Sequence, residues 1–134
     1  MKTAVIYWSG TGNTEQMAAA VAEGAGAELI RVSDFSGDIA EYDRLAFGCS
    51  AMGDEVLEEE EFEPFFAAIE GALRGKNIAL FGSYGWGDGE WMRGWEKDCD
   101  DSGIRLVCES VTCCEAPDDA ALDACRALGK ELAK

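Results

Sequence analysis

The stretch YWSGTGNT, residues 7–14, sets two glycines among small hydroxyl and amide side chains, between an apolar run and an alanine-rich run. Residues 2–8 have the composition of a β-strand, and residues 13–24 have the spacing of a helix. The stretch is therefore a strand-to-helix loop whose backbone N–H groups, with the helix dipole, point at whatever the loop holds. Its side chains donate hydrogen bonds but supply no positive charge.

The rest of the chain repeats this order of strand and helix. Such alternation predicts a doubly wound α/β fold, in which one parallel sheet carries helices on both faces. The weakest connection, residues 33–43, is expected to be a loop with one helical turn. The expected strands are residues 2–8, 27–32, 44–49, 77–82 and 104–113, and the expected helices are residues 13–24, 63–75, 89–103 and 118–134.

Apolar side chains at helical spacing predict which helix faces are buried. We interpret these side chains as core rather than as cofactor ligands. Gly75, Gly82 and Gly103 are expected at turns or helix ends. The two predicted core faces are Phe62, Phe65, Phe66, Ile69 and Leu73 in one helix, and Trp91, Trp95 and Cys99 in the next.

The length of 134 residues suits one hydrophobic core, so we expect a single domain over residues 1–134. The first residues lack the pattern of a signal peptide, and no apolar run reaches membrane length, so we expect a cytoplasmic protein. The six cysteines form no Cys-x-x-Cys pair, and the chain has no histidine. Reduced thiols are therefore expected, rather than disulfides or a zinc site.

The charge of the chain restricts its partners. A formal net charge of −16 argues against nucleic acid and anionic membranes, and favours a cationic partner. Residues 54–63, DEVLEEEEFE, hold seven of the carboxylates. A solvated segment at a helix entry, whose acids the helix dipole favours, is one interpretation of this run. The absence of histidine also excludes Ser-His-Asp and Cys-His catalysis.

Three loops are expected to meet at one edge of the sheet. Ligands of doubly wound sheets bind outside the carboxyl ends of the strands. The loop at 9–14, SGTGNT, could cradle a phosphate with neutral donors, since it lacks the lysine of a P-loop. The loops at 50–55, SAMGDE, and 83–89, SYGWGDG, offer a thioether and two aromatic rings for a flat ligand. The alternative is a purely structural role for these loops. The loop at 9–14 would then be a glycine turn with a polar helix cap, and the aromatic residues of the loop at 83–89 would be incidental.

These three motifs together resemble the short-chain, FMN-binding flavodoxins, over essentially the whole chain. The resemblance implies a five-stranded parallel sheet in the order 2-1-3-4-5. It also implies a low-potential one-electron carrier with non-covalently bound FMN. Its partners would be basic-surfaced redox enzymes that donate and accept electrons, and it would be a monomer.

The resemblance also assigns roles to residues of the three loops. Hydroxyl, amide and backbone groups of residues 9–14, with Ser50 and Ser83, would bind the FMN phosphate. Met52 and Trp86 would enclose the flavin ring, Glu55 would bond its N3 edge, and the Gly53–Asp54 peptide would turn a carbonyl toward N5 on one-electron reduction. The whole implied set is Ser9, Gly10, Thr11, Gly12, Asn13, Thr14, Ser50, Ala51, Met52, Gly53, Asp54, Glu55, Ser83, Tyr84, Gly85, Trp86 and Gly87.

Two other functions remain open from the sequence. A small FMN-dependent reductase of the same fold would need a substrate pocket over N5, for which this chain has little spare length. A phosphotransfer receiver domain shares the topology, but it needs an acidic pair after the first strand, where Ser9 and Gly10 stand.

Overall fold

A parallel sheet of five strands, in the order β2-β1-β3-β4-β5, organises the chain. We describe it from a computed structural model, for residues 2–10, 12–51, 58–85 and 89–134. The predicted fold and strand order are confirmed. The strands are β1 Lys2–Trp8, β2 Glu28–Arg31, β3 Tyr42–Cys49, β4 Asn77–Tyr84 and β5 Val111–Cys114, and the helices are α1 Asn13–Ala25, α2 Phe62–Ile69, α3 Glu90–Asp101 and α4 Asp119–Leu132.

The sheet separates two hydrophobic cores. Successive side chains of a strand point to opposite faces, so Val5 packs with α1 and α4 while its neighbour Ile6 packs with α2 and α3. Both side chains are fully buried. None of the described helices is long and apolar enough to cross a membrane.

Two glycines let α1 and α4 approach through their backbones. A Cβ on Gly24 would lie 2.1 Å from the carbonyl oxygen of Arg126, and one on Gly129 would lie 2.2 Å from that of Val21. Neither distance is tolerable for a real side chain. The spacing of the two helices therefore depends on glycine at both positions.

The predicted buried faces of α2 and α3 meet in an aromatic cluster. The ring of Trp95 makes edge contacts with Phe62 at 5.3 Å and with Phe66 at 5.5 Å, measured between centroids. Such edge-to-face pairs add to the stabilisation from buried area. Phe65 and Ile69 are only partly buried, and the other predicted members of the two faces are buried: Phe62, Phe66, Leu73, Trp91, Trp95 and Cys99.

Three predicted elements differ from the structure. The helix predicted over residues 63–75 ends at Ile69 and is followed by a 3₁₀ turn, Glu70–Ala72. The sequence predicts one helical turn in the connection 33–43, but the chain between β2 and β3 has two short 3₁₀ turns, Val32–Asp34 and Ile39–Glu41. The last strand, predicted as residues 104–113, is reduced to Val111–Cys114 and an isolated bridge between Leu106 and Ile78. β5 pairs only with β4, so one ladder alone holds it in extended form.

The prediction of a turn or helix end at Gly82 is wrong. Gly75 and Gly103 do lie in turns with positive φ, but Gly82 lies inside β4. A Cβ there would lie 2.2 Å from the carbonyl oxygen of Cys49, at the end of β3. Glycine is needed at this position because of a close backbone approach rather than a turn.

Gly82→Ala should therefore lower the free energy of unfolding by about 1 to 3 kcal/mol, the usual cost of forcing atoms into a packed core. Gly94→Ala is the matched control, because Gly94 lies within α3 with open space around it. It should raise stability by about 0.5 to 1 kcal/mol. Urea denaturation of both variants measures the difference, and equal midpoints would contradict the close approach.

Candidate functional site

A chain of three hydroxyl groups joins the N-terminus of α1 to the carboxyl ends of β3 and β4. The hydroxyl oxygen of Thr14, in the first turn of α1, lies 2.7 Å from that of Ser50 and 2.8 Å from that of Ser83. Thr14 is fully buried, and Ser83 is nearly so. Ser50 follows β3 and Ser83 lies near the end of β4. We call these three residues the hydroxyl cluster.

The hydroxyl cluster has a donor to spare. Each hydroxyl carries one proton, and the two contacts within the cluster use two of the three. The third is available to an acceptor outside it. Buried polar groups normally have hydrogen-bond partners, so the spare donor suits an acceptor outside the cluster, such as a phosphate oxygen.

The loop before α1 is arranged around its glycines. Gly12 has φ of 94°, which favours glycine, and it begins α1 without a side-chain cap. The backbone N–H of Gly12 donates to the Ser9 hydroxyl oxygen at 3.1 Å. Asn13 starts the helix and is partly exposed. Thr11 lies outside the residues that the structure describes.

A cation reaches this loop from the neighbouring strand. The guanidinium of Arg31, at the end of β2, donates to the Ser9 carbonyl oxygen at 2.9 Å. It also lies 5.9 Å from the centroid of the Tyr7 ring. Burial raises the pKa of Tyr7, and the hydrogen bond from its hydroxyl to Glu15, 3.0 Å long, raises it further. Sequence reasoning missed Arg31, because the contact joins residues 22 positions apart.

The second and third loops are tied to each other at their start. The N–H of Ala51 donates to the Ser83 carbonyl oxygen at 2.9 Å, so the chain leaving β3 is fixed to β4. The Tyr84 ring packs on Trp91, with centroids 5.4 Å apart, and is partly buried. Gly85 is exposed. The predicted flavin contacts Met52, Gly53, Asp54, Glu55, Trp86 and Gly87 lie outside the described residues and stay predictions.

Known proteins match the chain closely. The Flavodoxin family model matches residues 5–129. The chain is 49% identical to a flavodoxin of Clostridium beijerinckii, covering 96% of this chain and 97% of that one, and 44% identical to a flavodoxin of Megasphaera elsdenii, covering 97% of each. The solution structure of two-electron reduced Megasphaera elsdenii flavodoxin matches with a TM-score of 0.83 at 43% identity, over 98% of each chain.

The chain belongs to the flavodoxin family. Flavodoxins are FMN-bound carriers of electrons between redox enzymes, and this flavodoxin is accordingly an electron-transfer protein rather than an enzyme. The predicted family, cofactor and reaction type are confirmed. The family assignment supports the carrier over the reductase and receiver-domain alternatives.

One acid of the 54–63 run has a structural task in this flavodoxin. Glu59, Glu60 and Glu61 are exposed, as a solvated segment requires, but Glu58 is only 6% exposed. Its carboxylate accepts three backbone N–H groups at 2.7 to 2.8 Å, those of Glu60, Glu61 and Phe62. Interpreting the whole run as solvated is therefore wrong for Glu58. It holds the turn that begins α2.

The contacts of Glu58 determine the direction in which its pKa shifts. Burial alone would raise that pKa, but the hydrogen bonds from Phe62, Glu61 and Glu60 together outweigh it and lower the pKa from its ordinary 4.5. A carboxyl with a lowered folded-state pKa stabilises the fold above its unfolded pKa, and the contribution is lost as the pH falls through the folded value.

Glu58→Gln should thus lower the free energy of unfolding at pH 7 by about 1 to 3 kcal/mol, because a charged acceptor of three donors is removed. Glu59→Gln, the exposed neighbour, should change it by less than about 0.5 kcal/mol. The gap between the two variants should close as the pH falls below 4.5. Urea unfolding at several pH values measures it, and a gap independent of pH would refute the role of the charge.

Proposed function

We propose that the three loops of this flavodoxin hold FMN non-covalently at the carboxyl edge of the sheet, and that the chain works as a low-potential one-electron carrier. The observation that carries the proposal is the hydroxyl cluster, which joins Thr14, Ser50 and Ser83 beside the N-terminus of α1. When bound, FMN supplies one-electron redox chemistry at its ring. The protein residues bind it, orient it and set its charge environment.

The phosphate end of the cofactor is assigned to the first loop. The spare donor of the hydroxyl cluster, the amide of Asn13 and the uncapped start of α1 all favour an anion there. Ser9 supports the loop from inside, since its hydroxyl accepts from the Gly12 N–H. Thr11 completes the proposed cradle.

The flavin ring is assigned to the second and third loops. Ala51 in the second loop is bonded to Ser83 at the start of the third, and each loop contributes one hydroxyl, Ser50 or Ser83, to the hydroxyl cluster. Both loops therefore begin beside the proposed phosphate site. Met52 and Trp86 are proposed to enclose the ring and Glu55 to bond its N3 edge. Gly85 to Gly87 would face the pyrimidine end.

The negative charge of the chain supports a low potential and a basic partner. Adding an electron near carboxylates costs roughly 1 kcal/mol for each charge at about 4 Å in water, and less with distance and salt. The exposed acids Glu59, Glu60 and Glu61 would raise this cost. The same field would steer a redox enzyme with a basic surface toward the cofactor edge.

The proposal also covers the domain organisation, the oligomeric state and the cellular location of the protein. We expect residues 1–134 to act as one FMN-binding domain and a monomer. In support, Leu29 is the single exposed large apolar side chain among the described residues. The six cysteines are free thiols, which fits the reducing cytoplasm expected from the sequence.

Asn13→Ala should weaken FMN binding by about 10- to 150-fold, because it removes a donor to a charged acceptor. Riboflavin, which lacks the phosphate, should bind almost as before. Titrating the apoprotein with each flavin and following the quenching of flavin fluorescence measures both constants. Asn77→Ala, at the start of β4 and away from the loops, is the matched control and should change neither. Equal losses for both flavins would remove the phosphate from this loop.

A second test concerns the exposed acids. Replacing Glu59 and Glu60 together by Gln should slow electron transfer to a basic partner enzyme at low salt. The difference from the parent should shrink as ionic strength rises and the Debye length falls toward about 8 Å. The midpoint potential of the second one-electron reduction should rise modestly, because two negative charges of the 54–63 run are removed.

The control for this test carries the same charge change elsewhere. Asp98 and Asp100 are exposed near the far end of α3, away from the three loops. Changing both to Asn should leave the rate and the potential close to the parent values. If both double variants slow transfer equally, net charge rather than a local docking surface governs the rate.

A further inference from the structure

The side chain of Arg31 connects the end of β2 to the loop that follows β1. Arg31 ends β2 and is the register partner of Tyr7 in β1. Its guanidinium donates to the Ser9 carbonyl oxygen at 2.9 Å and lies 5.9 Å from the Tyr7 ring centroid. A planar guanidinium suits this combination of a carbonyl acceptor and an aromatic face. The loop at 9–14, neutral in sequence, therefore has a positive charge at its first residue.

The contact with Ser9 sets the orientation of a peptide group. No described peptide bond is cis, and in a trans peptide the C=O and the following N–H point in opposite directions. With the Ser9 carbonyl held toward the Arg31 guanidinium, the Gly10 N–H points away from that guanidinium. β3 and β4 lie on the opposite side of β1 from β2, with Ser50 directly after β3 and Ser83 within β4.

The charges around Arg31 are mixed. The Tyr7 hydroxyl, beside the guanidinium, donates to the Glu15 carboxylate. Glu15 therefore offsets part of the positive charge, while the exposed Glu28 lies at the beginning of the same strand. The net influence of Arg31 on an anion in the loop should be favourable but moderate.

We propose that Arg31 is the residue that makes the first loop prefer a doubly charged phosphate. It orients the Ser9–Gly10 peptide so that the Gly10 N–H faces the hydroxyl cluster, and it adds a positive charge behind a cradle of neutral donors. Arg31 is a positioning residue, since it acts through the Ser9 carbonyl. The proposal rests on the assignment of the FMN phosphate to this loop.

The test compares Arg31→Gln and Arg31→Lys with the parent apoprotein. Arg31→Gln should weaken FMN binding about tenfold at low salt and leave riboflavin binding unchanged. Arg31→Lys keeps the charge but loses the planar donor, so it should recover part of the loss. The loss in Arg31→Gln should diminish with added salt. It should also diminish below a pH of about 6, where a phosphate monoester loses its second charge.

Arg74→Gln is the matched control. The Arg74 side chain also donates to a backbone carbonyl, that of Ser102 at 2.8 Å, but it lies in the turn before β4, at the opposite edge of the sheet. This variant changes net charge and removes a guanidinium–carbonyl bond, so it should leave the preference for FMN over riboflavin at the parent value. A fall in FMN affinity equal to that of Arg31→Gln would assign the effect to net charge and overturn the proposal.

Two further outcomes would overturn the role of Arg31. Equal losses for FMN and riboflavin, independent of pH, would make it a support of the fold only. Unchanged FMN binding in Arg31→Gln would mean that neutral donors suffice. If Asn13→Ala still lowers the preference for FMN in that case, the proposed phosphate site stands without Arg31. A parent protein with no preference for FMN over riboflavin would instead refute the proposed function itself.

Discussion

The buried hydroxyl of Thr14 connects elements that are far apart in sequence. It binds Ser50 and Ser83, which lie 36 and 69 residues away. A buried hydroxyl without partners would cost about 1 to 3 kcal/mol, so these contacts favour one relative placement of α1, β3 and β4. The parallel sheet makes the meeting possible, because its crossovers return every loop of this kind to the same edge.

The sequence predicts best what depends on local pattern. Of the four helices described in the structure, α1, α3 and α4 begin and end within two residues of the expected positions, because apolar spacing and the caps Asp118 and Gly26 are local signals. The second helix, α2, begins as expected but ends six residues early, at Ile69. The last strand is shorter than expected, since a pattern of apolar residues does not tell whether a partner strand lies on both sides. The role of Gly82 is also hidden from local pattern, because a Cβ at this position would collide with the backbone of Cys49, which lies in another strand.

The candidate site shows the same division between local and distant information. The hydroxyl and amide residues of the first loop are visible in the sequence as a motif, and the structure brings Thr14, Ser50 and Ser83 together. Arg31 and Glu58 are charged residues in segments without a motif. Their tasks come from the backbone groups they contact, the Ser9 carbonyl for one and the N–H groups at the start of α2 for the other. A pattern of residue types cannot reveal such contacts, because every residue offers the same backbone groups.

The close crossing of α1 and α4 bears on how fast a carrier can exchange electrons. A redox centre whose surroundings shift greatly when its charge changes must overcome a large reorganisation energy at each transfer. The N-terminus of α1 belongs to the proposed phosphate site, while its last turn is held at Gly24 against the backbone of α4. Packed interiors are poorly compressible, so α1 has little freedom to slide or tilt when charge arrives. Two glycines remote from the cofactor edge thus help to keep α1, and the phosphate site proposed at its N-terminus, in place when the charge of the redox centre changes.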